Sequence, residues 1–564
     1  MAPSVKASPT RQTPDSFPKR DWDIPILCLL LGIVFFYKLG SYPLFDLDEP
    51  RYAEAAREML ERNDWITPYF NYVVRFEKPV FFYWLIALAY QWFGVSEFSA
   101  RFFSAVMASG TVFMVYGFGR YWISRQYGLI SALILATSVL FIGIGRMSIT
   151  DMTLTGWLAA TSFCLFMAAH KNLRWWLAAG FFSGLAVLTK GPVGLVVPGA
   201  IFTIYTLLTG NFTRCLLNRW LPLAILICLT VALPWYVLAY QANGQRFLDE
   251  LFMNNVTRYS DVVSGHKQPV YFYAIVLVAG FLPWTAFLPA ALRQLAALGK
   301  THQTQVESKN YRYLIPLYAA VWTIFIFLFF TAGNTKLLTY ILPLFPALAL
   351  LTASVFTPAA TEPNAKSPEE QVSSGWLAIP AWLLVAITGI GGVVFITQMS
   401  RLMPREAAGV QANGYNMVAV AVLTIGFTVT AWNLSRKKLF PAVVSQAVSI
   451  VLLVIVAMQG IVPNVSKAAQ GVMMGYLRTI GKSPVVLYEI QRPSLTFYGK
   501  RRVPRFVEEE APKLLAELHK NKQTFIITKT DFVPQLRSLL PPSDQVRTIE
   551  KDRVYSLLSV SQAP

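Results

Sequence analysis

A series of long apolar runs limits what this chain can fold into. They lie at about 24–40, 98–118, 128–145, 152–168, 175–189, 192–208, 218–240, 269–290, 313–332, 337–356, 376–397, 415–434 and 439–462. The hydrocarbon core of a bilayer is about 30 Å thick and takes about 20 residues of helix to cross. Inside it every backbone N–H and C=O needs a partner from its own segment, so an open chain crosses only as helices. The runs predict about thirteen membrane helices. Only 14% of the 564 residues are charged, against about 25% in soluble proteins. The formal charge of +19 does not indicate nucleic acid, because the basic excess sits in short loops between runs or in the last hundred residues. Thr189-Lys190-Gly191-Pro192 reads as a tight turn splitting 175–208 into two spans; a single re-entrant element there would change the count.

The loops alternate in charge. Arg120 and Arg125, Lys171 and Arg174, Arg214 and Arg219, the group Arg293 to Arg312, and Arg436 to Lys438 fall on one side. Short loops rich in Lys and Arg face the cytoplasm, and the basic N-terminal tail, 1–23, joins them. No small-residue cleavage site follows the first run, which therefore reads as a retained span. The other side carries 41–97, 146–151, the turn at 190–191, 241–268, 333–336, 398–414 and everything after 463. In a bacterium these would be periplasmic. The four cysteines, Cys28, Cys164, Cys215 and Cys228, lie in or beside apolar runs and imply neither a disulfide framework nor a metal site.

Two outer segments have their own organisation. In the first outer loop, 41–97, Glu49 to Arg62 has helical spacing with one apolar face, and Lys78 to Phe93 is short and aromatic; both predict interfacial helices. Residues 463–564 carry 16 Lys and Arg against 9 Asp and Glu. Strand patterns at 485–489, 524–528 and 554–558 and an amphipathic helix at 508–520 predict a soluble α/β domain after the membrane domain, 24–462.

The loop motifs carry a resemblance. Asp48-Glu49-Pro50-Arg51-Tyr52-Ala53-Glu54, Arg57-Glu58-Met59, Asp64-Trp65-Ile66-Thr67-Pro68 and Phe76-Glu77-Lys78-Pro79 are similar to the bacterial aminoarabinose transferases. That group modifies lipid A and is related to the protein O-mannosyltransferases. Arg146 to Asp151, Gly280 to Trp284 and Lys336 to Pro343 continue the resemblance to about residue 350. It implies a C-type glycosyltransferase: an α-helical polytopic membrane protein with thirteen helices and a small C-terminal α/β outer domain. It also implies a sugar donor carried on undecaprenyl phosphate or a similar polyprenyl phosphate.

Such a reaction needs a carboxylate to take the acceptor's proton, cations to stabilise the leaving phosphate, and a groove for the lipid chain. Asp48 is the candidate base, Asp151 a second carboxylate, and Glu49 a residue that caps the helix, tunes Asp48 or touches the sugar. Arg51, Lys78 and Lys336 are candidates for the donor phosphate, with Tyr340 donating a hydrogen bond. Each has a plainer reading. A carboxylate at a helix start caps N–H groups, and Arg or Lys near a span snorkels to headgroups. Glu77 and His266 are candidate contacts to zinc or substrate, but two ligands fall short of the usual four of a structural zinc site, and no cofactor is expected to be required. The basic cluster Lys500, Arg501, Arg502 and Arg505 suits an anionic lipid or acceptor, or equally a solvated face. The expected partners are the lipid-linked donor, a glycolipid such as lipid A or a protein hydroxyl as acceptor, and membrane lipid. A transporter is the competing class, but mid-span Asp and Glu are nearly absent and no inverted repeat is evident.

Overall fold

The computed structural model describes residues 22–253, 268–357, 374–402, 407, 409–411 and 413–562. All thirteen apolar runs are largely helical there. Eight helices among the described residues are long and apolar enough to cross a membrane, and up to ten if each bent pair counts as one span. The difference from thirteen straight spans has two local causes. First, the run at 128–145 bends by 68° between α5 (Arg125–Ala136) and α6 (Val139–Gly145), and that at 269–290 bends by 102° between Phe272–Gly280 and Trp284–Gly299. At the first bend Thr137 and Ser138 donate their hydroxyls to the carbonyls of Leu133 and Ile134, competing with the helix ladder. At the second, Pro283 has no N–H to offer.

Second, α1 (Asp23–Phe36), α8 (Trp175–Lys190) and α9 (Val193–Leu208) are short. Sixteen residues rise about 24 Å, less than the core thickness. The 175–208 region is two helices, reversed at Gly191, whose φ of +77° suits glycine. Gly194 then lets α9 close on α8: a Cβ there would stand 2.5 Å from the Ala186 carbonyl carbon.

Packing agrees with the alternation of the loops. At the basic face the Asp23 carboxylate accepts from Arg125 (2.7 Å, twice) and from the Tyr116 hydroxyl (2.8 Å).

At the opposite face the first loop forms α2 (Asp48–Arg62), the short hairpin β1–β2 (Tyr69–Phe70, Val73–Val74) and α3 (Phe81–Phe93). The charged side of α2 is not laid against water. Glu54, Arg57 and Glu58 are buried, Arg57 donates to both oxygens of Glu54, and Glu58 accepts the Tyr72 N–H at the hairpin turn (2.9 and 3.1 Å).

The last membrane helix runs on without a linker, from Leu439 to Ile480. Its end enters the core of the C-terminal domain through Met473, Tyr476 and Ile480. That domain is one five-stranded sheet in the order β4-β3-β5-β7-β6, with β3 (Val485–Tyr488) parallel to β4 (Arg505–Phe506) and β5 (Gln523–Lys529), and β7 (Tyr555–Gln562) antiparallel to β5 and to β6 (Asp544–Lys551). Val485 and Leu487 face the membrane helix; Val486 and Tyr488 face the helices Ala511–Leu518 and Val533–Leu539. Burial on both sides explains why β3 is apolar throughout. Two strands lacked a sequence signal. β4 is two residues long, and β6 is a mostly polar edge strand with little to bury.

Candidate active site

The neighbours Asp48 and Glu49 point in different directions, because successive helix residues turn by about 100°. Asp48 opens α2 with its side chain 58% exposed, 3.6 Å from the guanidinium of Arg51. Glu49 is fully buried. It accepts from Arg101 Nε and Nη2 (2.8 and 2.7 Å), from the Ser148 N–H (2.8 Å) and from the Phe45 N–H (2.9 Å). Arg101, in α4 (Glu97–Trp122), spends its remaining donors on the carbonyls of Leu39, Tyr42 and Pro43. All five guanidinium N–H groups are thus used. The expectation that Glu49 touches the sugar is corrected by this geometry: its oxygens are enclosed and engaged, and they tie the first loop to α4 and to the loop before α7 (Thr150–His170).

Asp151, in the first turn of α7, meets Lys190 at 2.5 Å. The Lys190 ammonium also sits 4.3 Å from the centroid of the Tyr340 ring. Asp151 and Tyr340, separate candidates in the sequence, thus both adjoin Lys190, a residue whose sequence context marks only a turn. Lys336 is buried, with its ammonium directed to the Gly333 carbonyl (2.7 Å). Tyr273 steadies the same segment through the Leu337 carbonyl (3.1 Å).

Beside Asp48 lies a cation-rich group. Arg75 donates to Glu77 at 2.5 Å. Burial disfavours the Glu77 charge, yet Arg75, then Arg51 and Lys78, outweigh it and hold the carboxyl at about 2. Lys78 donates to the Glu77 carbonyl (3.0 Å). Burial together with Arg75 lowers the Arg51 guanidinium, against the pull of Glu77 and Asp48. Burial, with lesser contributions from the Tyr83, Asp48 and Asp151 charges, pushes the Tyr52 phenol well up. The face thus gathers four cations, Arg51, Arg75, Lys78 and Lys190, around three carboxylates, Asp48, Glu77 and Asp151.

The proposed zinc contact fares differently for its two members. Glu77 is ion-paired with Arg75, and His266 lies outside the described residues. Among the described residues no group of three or more His, Cys, Asp or Glu is arranged to hold a metal ion. Three participants escaped the sequence analysis: Arg75, Arg101 and Lys190. Arg101 had a usable signal, since a lone arginine inside an apolar run must find a partner.

Comparison with known proteins gives a consistent result. A family model described as dolichyl-phosphate-mannose-protein mannosyltransferase matches residues 77–238. An undecaprenyl phosphate-alpha-4-amino-4-deoxy-L-arabinose arabinosyl transferase from Enterobacter sp. (strain 638) is 31% identical over 375 residues, 65% of this chain and 66% of that protein. One of the same name from Aeromonas salmonicida (strain A449) is 27% identical over 571 residues, 95% of this chain and 98% of its own length. In fold, the chain is similar to the crystal structure of ArnT from Cupriavidus metallidurans bound to undecaprenyl phosphate, with a TM-score of 0.72 and 21% identity, covering 95% of this chain and 97% of that one.

Proposed function

We propose that the chain is a member of the aminoarabinose transferase family of C-type glycosyltransferases and that it moves a sugar, 4-amino-4-deoxy-L-arabinose or a related pentose or hexose, with inversion, from undecaprenyl phosphate to lipid A or another glycolipid. The observation that carries this reading is the exposed Asp48 carboxylate on a cation-rich face that also holds Asp151, Lys190 and Tyr340. Asp48 takes the proton of the acceptor hydroxyl as that oxygen attacks the anomeric carbon. The bond to the carrier phosphate breaks on the opposite side of the sugar. Arg51, Lys78, Lys336 and the Tyr340 hydroxyl bind the phosphate as its charge grows. Asp151, paired with Lys190, orients the sugar or the acceptor. The protein spans the inner membrane, with this face and the C-terminal domain on the periplasmic side. That placement is supported by the basic loops at the other end of the bundle. A protein hydroxyl as acceptor is the second reading, supported by the match of residues 77–238 to the mannosyltransferase model.

The test uses purified full-length protein in detergent, undecaprenyl phosphate-linked 4-amino-4-deoxy-L-arabinose and lipid A. Wild-type protein releases undecaprenyl phosphate as modified lipid A appears, and Asp48→Asn abolishes release at unchanged protein yield. An unaltered rate in Asp48→Asn removes Asp48 from the mechanism.

A further inference from the structure

The C-terminal domain grips the chain just ahead of Asp48. The Asp46 carboxylate, only 3% exposed, accepts the Ser494 N–H (2.9 Å) and the Ser494 hydroxyl (2.6 Å), with the Arg492 guanidinium at 3.4 Å. Arg492 is held in turn against the ring and hydroxyl of Tyr555, on strand β7. Ser494 lies in the short helix Pro493–Gly499. At the far end of that helix Tyr498 accepts the Leu44 N–H (2.8 Å) and donates to Glu97 of α4 (3.0 Å), while Phe497 enters the core of the membrane domain. The Leu44–Asp46 segment is therefore bound at both ends by a domain more than 400 residues away in sequence.

We propose that this contact is part of the catalytic apparatus: Ser494 and Arg492 are positioning residues that fix Asp46 and, through it, the backbone presenting Asp48. On the other side of Asp48, Glu49 is locked onto Arg101 and the Ser148 N–H. The base thus stands between two anchored carboxylates, one held by the membrane domain and one by the soluble domain. Its own side chain is left exposed. Two residues of chain span at most about 7 Å, so slack at Asp46 is transmitted to Asp48. A misplacement of about 1 Å in a reacting group costs about a hundredfold in rate.

This proposal rests on Asp48 being the base, and the experiment separates the two. Full-length Ser494→Ala, Ser494→Thr, Arg492→Ala and Asp48→Asn are assayed side by side for kcat and for the KM of the lipid-linked donor, with melting temperature in detergent as the measure of fold. Positioning predicts that Ser494→Ala lowers kcat about tenfold or more with KM within about twofold and melting unchanged, and that Ser494→Thr, which keeps the hydroxyl, restores the rate. Full activity in Ser494→Ala while Asp48→Asn is inactive overturns the positioning role and spares the base. Full activity in Asp48→Asn overturns the base. If Ser494→Ala and Arg492→Ala both lose their melting transition together with activity, the contact merely docks the domain, and the positioning role also fails.

Discussion

Arg101→Met is the most demanding test of how the site is held. The substitution keeps roughly the aliphatic stem of the side chain but removes the guanidinium and its five N–H donors. It leaves Glu49 with two backbone N–H donors, from Phe45 and Ser148, and no cation. Breaking a buried ion pair by removing one partner costs about 3–5 kcal/mol. The cost falls locally, because the lost bonds all join α4 to the 39–49 segment. A local opening made easier by about 3 kcal/mol accelerates amide exchange at the affected positions about 150-fold. The readout is hydrogen–deuterium exchange of peptides containing Phe45 and Ser148, whose N–H groups are bound by Glu49 in the wild type. Replacing both partners, as Glu49→Met with Arg101→Met, leaves no stranded charge, so the double variant loses less melting temperature than the two single losses added together. Unchanged exchange in Arg101→Met, or a double variant worse than the sum of the singles, would refute the argument that Glu49 serves as an anchor.

Two further predictions concern charge. Glu58 is buried, and burial with the nearby Glu54 charge pushes its carboxyl up to about 7, against the opposing Tyr72 N–H and Arg57. The folded state therefore binds a proton more tightly than the unfolded state, where the value is near 4.5. Its contribution to stability is greatest below that value and is lost as pH rises to about 7, by about 3 kcal/mol in all. Glu58→Gln should flatten the fall in melting temperature across this window, and an unchanged slope contradicts the assignment. Lys190→Met strands the buried Asp151 carboxylate and should lower turnover at least about tenfold. If the two act as a unit, adding Asp151→Asn costs little more; multiplicative losses in the double variant would show that they act separately.

Much of the membrane domain was legible because the bilayer leaves few choices. An apolar run near 20 residues has one stable form in hydrocarbon, and each run is indeed largely helical. Bends and shortfalls in length were not legible. Whether a break at Pro283 or Thr137 yields a straight or a folded span depends on what packs against it, and hydropathy does not register that. In the soluble domain the buried strands announced themselves through β-branched residues. The edge strand β6 did not, since its side chains are mostly exposed or half-buried.

The same division runs through the site. Sequence by itself identified the loops, their alternating charge and the order of the acidic and basic motifs, because these follow from local composition and helical periodicity. It singled out Asp48 as the candidate base but could not give Glu49 a single role. Their difference comes from Arg101, 52 residues further along the chain, which buries one carboxylate and leaves its neighbour exposed. Nor could it pair Lys190 with Asp151, Arg75 with Glu77, or Ser494 with Asp46. The strength of an ion pair or hydrogen bond falls steeply with distance and rises with burial. Both quantities exist only once the helices have packed and the C-terminal domain has closed on the first loop.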